Sequence, residues 1–150
     1  LVIRRQRQMC IRDRNKMDDV YYDENLESNI AYLGHKNGFV EEISLRDNFN
    51  IIGASINDSL FKKFGLSKLK NHKFFNLSFG EKRKSALVRV ISSQKNIWIL
   101  DEPFAGLDKE SIKNLKKVFN EHIKKGVCII MANHQEELDE SVKIHLEKNV

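Results

Sequence analysis

Apolar residues recur with two different spacings along this chain, and the change of spacing outlines its elements. Over 44–64 they recur every three or four residues, which predicts two helices with a break near Gly53. The same spacing predicts helices over about 78–94 and 109–125, and a short helix is expected over 135–140. Continuous apolar runs instead predict buried strands over 96–100 and 127–132, and shorter strands are expected at 20–22, 30–33 and 142–146.

Polar side chains follow both buried strands. Strand, helix and strand alternate after position 96, which predicts an α/β fold with a parallel sheet. Ligands of such sheets bind at the carboxyl ends of the strands, where Asp101, Glu102 and His134 stand. Adjacent carboxylates there suit a magnesium nucleotide, because one orients the ion and the other polarises an attacking water. The alternative for Asp101-Glu102 alone is a solvated strand end.

The predicted helix over 78–94 begins at a capping box. Ser78 is followed three residues later by Glu81, just ahead of an apolar helical pattern. Such a helix start can receive a phosphate on its unpaired N–H groups, and Gly80 allows the backbone to come close. A well-capped helix without a ligand is the alternative. Asp108 caps the predicted helix over 109–125.

Composition and charge narrow the classes of function. The chain has 150 residues, 41% hydrophobic and 31% charged, which fits one globular domain. No apolar run approaches the roughly 18 residues of a membrane span, so no transmembrane segment is expected. The net charge is +5, but the arginines of residues 1–14 carry most of it, and the nearly neutral remainder argues against nucleic acid as a partner. Cys10 and Cys128 make no disulfide framework, and a reducing cytoplasm is expected.

Residues 1–14 differ in composition from the rest of the chain. They are rich in arginine, whereas the remainder uses lysine, and they look like a translated sequencing-adapter remnant. They are predicted to be a non-native tail outside the fold. The true N-terminal part of the protein is then expected to be missing.

Four blocks in the order 77–81, 97–103, 105–108 and His134 resemble the ATP-binding subunit of ABC transporters. The resemblance covers about residues 19–150. It implies a P-loop NTPase fold, the three-layer parallel sheet of an ABC ATPase with an inserted helical subdomain. Residues 15–37 would be strands leading to the Q-loop region, 38–95 the helical subdomain with the signature helix, and 96–150 the core with Walker B, the D-loop and the switch histidine.

The resemblance also implies site roles, with ATP and Mg²⁺ as cofactors. The signature loop, including Ser78, Gly80 and Glu81, would contact the γ-phosphate of ATP held by a second subunit. Asp101 would be the Walker B magnesium ligand and Glu102 the catalytic base. Asp108 would belong to the D-loop, with helix capping alone as the alternative. His134 would be the switch histidine. His35 stands in the place of the Q-loop glutamine.

The chain departs from the family pattern in its signature loop and in its phosphate cradle. Phe79 and Glu81 stand where the commonest signature has Gly and Gln. No Gly-x-x-x-x-Gly-Lys-Ser/Thr occurs, so the Walker A cradle is missing from this sequence. The chain alone is therefore expected to be inactive. Without the strand that leads into the cradle, a hydrophobic parallel edge at 127–132 should promote aggregation.

Within the family, the Tyr32–Gly38 segment looks like that of the ATP-binding subunit of the haem exporter of cytochrome c maturation. This implies a homodimer docked on transmembrane subunits at the cytoplasmic face of the bacterial inner membrane, with Phe39, Val40 and Ile43 as candidates for the docking surface or for core packing. Two alternatives stay open: an ABC-type ATPase of DNA repair or of ribosomes, and a non-catalytic remnant that binds a partner.

Overall fold

A computed structural model of the chain describes residues 2–4, 27–133, 138 and 141–143. Within these ranges, three short 3-10 helices connect the regular elements at Glu27–Asn29, Ser67–Leu69 and Phe74–Asn76. The strands are β1 (Val2–Arg4), β2 (Ile30–Leu33), β3 (Ile97–Asp101), β4 (Cys128–Ala132) and β5 (Ser141–Lys143), and the helices are α1 (Leu45–Ile51), α2 (Asp58–Lys63), α3 (Phe79–Ser92) and α4 (Lys109–Lys124).

Each of the four α-helices in the described residues begins at a polar residue whose side chain accepts a backbone N–H from the first turn. Ser44 and Asn57 cap α1 and α2 at 3.0 and 3.1 Å, and the predicted break between these two helices is confirmed. Ser78 caps α3 at 3.3 Å and Asp108 caps α4 at 2.8 Å. Both predicted caps are therefore confirmed. They could be predicted because a cap joins a residue to the third residue after it.

The described strands form one sheet in the order β2, β3, β4, β1, β5. The strands β2, β3 and β4 run parallel, which confirms the predicted parallel sheet. In register, Leu33 faces Leu100, and Leu100 faces Met131. The residues that follow these three strands consequently lie along one edge of the sheet.

The edge of β4 that was expected to be unpaired is covered by β1, which lies within the arginine-rich segment. β1 runs antiparallel to β4 and to β5, with Val2 opposite Met131 on one side and Lys143 on the other. A strand edge carries a row of unpaired N–H and C=O groups, so pairing with any available segment stabilises it. The predicted strand over 20–22 and most of the predicted helix over 135–140 lie outside the described residues.

Two aromatic clusters organise the core. Trp98 of β3 packs edge-on against Phe119 of α4, with ring centroids 5.9 Å apart. Between α1 and α2, the rings of Phe49 and Phe61 pack with their centroids 5.3 Å apart. The docking candidate Phe39 lies between the rings of Phe49 and Phe74, at 5.7 and 4.8 Å, so core packing accounts for it. The apolar residues buried on α3 belong to the same hydrophobic core and are Ala86, Leu87, Val88, Val90 and Ile91.

Candidate functional site

Two carboxylates lie at the carboxyl end of the central parallel strand. Asp101 is the last residue of β3 and is half-buried, whereas the side chain of Glu102 is exposed. Glu102 has a φ of 44°, which is uncommon for a residue other than glycine. Its backbone N–H donates to the carbonyl of Ala132 at 2.8 Å. A strained backbone of this kind persists only where the surrounding structure fixes it.

Arg83 of α3 also holds the backbone at Glu102, through hydrogen bonds to carbonyl oxygens. Its Nη2 donates to the carbonyl oxygens of Asp101 and Glu102, the latter at 2.9 Å. Its Nη1 donates to the carbonyl of Gly34 at 2.9 Å and to Oδ1 of Asn37 at 3.3 Å. Arg83 therefore connects helix α3, the end of β3 and the loop 34–37.

Burial lowers the pKa of Arg83, and the nearby carboxylates of Asp101 and Glu102 oppose that change. The guanidinium keeps its charge, because an arginine does not lose its proton in proteins. Sequence reasoning missed this residue and treated it as part of a basic segment. One signal was available: Arg83 precedes Ala86 and Leu87 by three and four residues, which places it on the buried face of the helix.

The start of α3 is a closed capping box. Both the backbone N–H and the hydroxyl of Ser78 donate to Oε2 of Glu81 at 2.8 Å, and the Glu81 N–H donates back to the Ser78 hydroxyl oxygen. These hydrogen bonds from Ser78 lower the pKa of Glu81. The predicted box is confirmed, and in this conformation the Glu81 carboxylate occupies donors that a phosphate would need.

The loop 77–81, a name used here for Leu77, the cap Ser78 and the first turn of α3, lies directly against the loop 105–108. A Cβ placed on Gly80 would lie 2.7 Å from the carbonyl oxygen of Gly106, and a Cβ on Gly106 would overlap the ring of Phe79. Asp108 adds an ion pair to α3, with 3.9 Å between its Oδ2 and Nζ of Lys84. The two loops form one continuous surface, on which the side chain of Phe79 is 61% exposed.

The predicted site residues thus fall into two groups joined by α3. Ser78, Gly80, Glu81 and Asp108 share the surface made by the two loops. Asp101 and Glu102 form the other group. Hydrogen bonds from Arg83 connect their backbone to the loop that contains the exposed His35. His134 lies outside the described residues.

The structure also holds a cavity of about 730 Å³ between β2 and α3. Its lining includes Tyr32, Lys36, Arg89 and Lys95 but, among the described residues, neither Asp101 nor Glu102 nor Ser78. The candidate chemistry is therefore at the strand ends and the two loops and not in this cavity.

Comparison with known proteins identifies relatives of this chain. A family model described as ABC transporter matches residues 6–105. Three relatives are named Cytochrome c biogenesis ATP-binding export protein CcmA. The protein of Colwellia psychrerythraea is 35% identical over 119 residues, which are 75% of this chain and 54% of the relative. That of Shewanella oneidensis is 33% identical over 130 residues (83% and 58%), and that of Reclinomonas americana is 36% identical over 120 residues (73% and 54%). The chain spans a little over half the length of these relatives.

Solved structures agree with the predicted fold class. One described as the ATP binding subunit of an ABC transporter superposes with a TM-score of 0.64 at 25% identity, covering 71% of this chain and 49% of that one. The dimeric ATP-binding cassette MJ0796, bound to ADP and Pi, gives 0.61 at 16% identity, covering 76% and 58%, and supports the fold alone. The P-loop NTPase fold of the ABC ATPases is confirmed, with this chain covering the C-terminal part of the domain.

Proposed function

The chain belongs to the ABC transporter family, and from that premise we propose that it carries the catalytic carboxylates and the partner-facing loops of an ATP-hydrolysing subunit. The observation that carries the proposal is the fixed position of Asp101 and Glu102 at the end of a central parallel strand. Nucleotides bind at that edge of an α/β sheet. We assign the exposed Glu102 carboxylate to accept a proton from an attacking water.

The donor set at the strand end fits a magnesium ion held together with a nucleotide. Among the described residues, no group of three or more His, Cys, Asp or Glu side chains is close enough to hold a metal. Mg²⁺ in nucleotide sites uses one or two carboxylates plus phosphate oxygens, which matches Asp101 with Glu102 beside it. When bound, the ion would neutralise charge on the phosphates, with Asp101 as its protein ligand.

The second group of residues fits a site completed by another subunit. Ser78 caps a 14-residue helix and Gly80 lies in its first turn, and the N-terminus of a helix can receive a phosphate once the Glu81 carboxylate moves away from the donors of Ser78. We assign them to the γ-phosphate of ATP held by a second copy, with the loop that ends at Asp108 alongside. His35 and His134 are assigned to the γ-phosphate end of the chain's own site, as the family motifs suggest.

The transport function is proposed from the names of the relatives, which are ATP-binding export proteins of cytochrome c biogenesis. We assign the chain to haem export in that process, as part of a homodimer docked on transmembrane subunits at the cytoplasmic face of the bacterial inner membrane. Of the helices in the described part of the chain, none has the length and apolar character needed to cross a bilayer.

The chain by itself is proposed to neither bind ATP tightly nor hydrolyse it, because its sequence holds no Gly-x-x-x-x-Gly-Lys-Ser/Thr cradle. Purified chain should release phosphate from ATP only at the background rate. A rate above background that Glu102→Gln abolishes would contradict this.

Activity of the assigned residues is tested in a chimera. The part of the Shewanella oneidensis relative that this chain does not match would be joined ahead of residues 15–150. The chimera should hydrolyse ATP, Glu102→Gln should abolish hydrolysis, and the exposed Glu121→Gln on α4 is the matched control. A folded, dimeric chimera whose hydrolysis survives Glu102→Gln would overturn the assignment. Restoration of cytochrome c maturation in cells that lack the relative tests the transport function separately.

A further inference from the structure

Arg83 is the one charged side chain that is buried in the described part of the chain, with 3% of its surface exposed. Within the described part of the chain, its hydrogen bonds go to three carbonyl oxygens and one side-chain amide oxygen, and none goes to a carboxylate. Burying a charge is costly, and an apolar residue of similar volume often stabilises a core at least as well. Stability alone therefore does not explain an arginine at this position.

The geometry of the guanidinium explains it better. The planar group holds its donors in a fixed fork, so the acceptors on either side of it are held at a fixed separation. One branch holds Gly34 and Asn37, and the other holds the consecutive carbonyls of Asp101 and Glu102. Loop 34–37 and the end of β3 are thereby joined through a single rigid group.

For Glu102 the consequence is a backbone fixed from both sides. Its N–H donates to the carbonyl of Ala132 in β4, and its C=O accepts from Arg83 at 2.9 Å and from the N–H of Ala105 at 3.1 Å. Arg83 is the partner that reaches this carbonyl from another element. With both groups held and φ at 44°, the direction in which the side chain leaves the backbone is determined. A lysine could not reproduce this, because a single ammonium presents a point charge and not a fork.

We propose that Arg83 is a positioning residue for Glu102: it fixes the backbone from which the carboxylate projects and ties that backbone to loop 34–37. Ser78 caps the same helix, so the segment that we assign to phosphate and the backbone of Glu102 are both attached to α3. The catalytic meaning of the arrangement rests on the proposed function, whereas the clamp on the backbone does not.

Amide hydrogen exchange in the full chain, read by NMR, tests the clamp without nucleotide. In Arg83→Met, the Glu102 amide should exchange at least about tenfold faster, while the amides of Trp98 to Leu100 in β3 change much less. Arg89→Met is the matched control. Arg89 is a second guanidinium on α3, and it donates to the carbonyl of Tyr32 at 3.2 Å. That variant should leave the ratio of Glu102 exchange to β3 exchange unchanged.

The conservative variant keeps the proposal falsifiable if Arg83→Met does not fold. Arg83→Lys retains the charge, so the β3 amides should stay protected while the Glu102 amide still exchanges several-fold faster than in the wild type. Equal acceleration at Glu102 and throughout β3 would mean a general role in stability and would overturn the proposal. Unchanged Glu102 exchange in Arg83→Lys would also overturn it. Because no step uses ATP, either result is independent of whether the chimera hydrolyses ATP.

Discussion

Gly80 lies so close to Gly106 that a Cβ on Gly80 would meet the Gly106 carbonyl oxygen at 2.7 Å. Gly80 has no positive φ, so the position requires glycine for space and not for an unusual backbone conformation. The atom that a side chain would meet belongs to the backbone of a loop, which cannot rotate away as a flexible side chain can. Contact between the loops 77–81 and 105–108 therefore depends on the absence of a single methyl group.

Gly80→Ala should lower the free energy of unfolding by about 1–3 kcal/mol, the usual cost of overpacking. Helix propensity alone predicts the opposite sign, because alanine is favoured over glycine in a helix by up to about 1 kcal/mol. Urea unfolding followed by the fluorescence of Trp98, the only tryptophan, measures the difference. Ser59→Ala, an exposed change on α2, is the control and should stay within about 0.5 kcal/mol of the wild type. A stabilised Gly80→Ala would show that the loops do not touch in solution.

The capping box predicts a pH-dependent stability. Hydrogen bonds from Ser78 lower the pKa of Glu81, so folding favours its charged form. Stability from a lowered pKa is fully present above the unfolded value of about 4.3 and is lost as the pH falls through the folded pKa. Glu81→Gln should therefore lower the free energy of unfolding at pH 7, by up to about 1 kcal/mol for this partly exposed group.

That difference should shrink as the pH falls through the lowered pKa of Glu81, because the carboxyl group becomes neutral there. Urea unfolding of the two proteins at pH 7, 5 and 3.5 measures it, with Glu121→Gln as the control for a change of charge on an exposed helix face. A difference that stays constant with pH would mean that the carboxylate charge contributes nothing to the cap.

Asp108 allows its two candidate roles to be separated. Ser111 donates to Asp108 through its backbone N–H and through its hydroxyl, both at 2.8 Å, and these bonds lower the pKa of Asp108. Asp108→Ala should cost about 1 kcal/mol of stability, whereas Asp108→Asn should cost little, because asparagine is an equally good N-cap. In the chimera we expect Asp108→Asn to reduce ATP hydrolysis, since the charge is lost while the cap remains. Unchanged hydrolysis in that variant would leave capping as the only role of Asp108.

Relations between neighbouring residues were predictable from the sequence. The caps at Ser78 and Asp108 were predicted correctly because each joins a residue to the third residue after it. The buried apolar face of α4 was predictable for the same reason. Leu115, Phe119 and Ile123 of that face recur with the helical period. Burial within the short 3-10 helix was not predictable in this way, because Phe75 is 67% exposed although it is as apolar as its neighbour. Its neighbour Phe74 fills that part of the core, and a single turn of 3-10 helix cannot bury two consecutive side chains on one side.

Relations between distant residues were not predictable in the same way. Arg83 bonds to Gly34, which lies 49 positions earlier, and no local pattern encodes that pairing. The contact between Gly80 and Gly106 likewise depends on how α3 packs against the end of β3. The family resemblance supplied roles for Ser78, Asp101 and Glu102, but it did not identify the side chain that connects them. Tertiary packing determines such pairs, and a single sequence does not display it.

The pairing of β1 with β4 leads to a final prediction, on the association of the chain. Residues 1–14 were predicted to be a non-native tail, yet Val2–Arg4 lies between β4 and β5 in the sheet. Deletion of residues 1–14 should uncover the backbone edge of β4 and increase self-association, because an unpaired strand edge is a template for pairing with another chain. Size-exclusion chromatography with light scattering at matched concentrations measures this, and Lys125→Ala, an exposed change beyond α4, is the control for handling. Identical elution of the full and shortened chains would mean that β1 does not protect the edge. It would support the prediction that the segment lies outside the native fold.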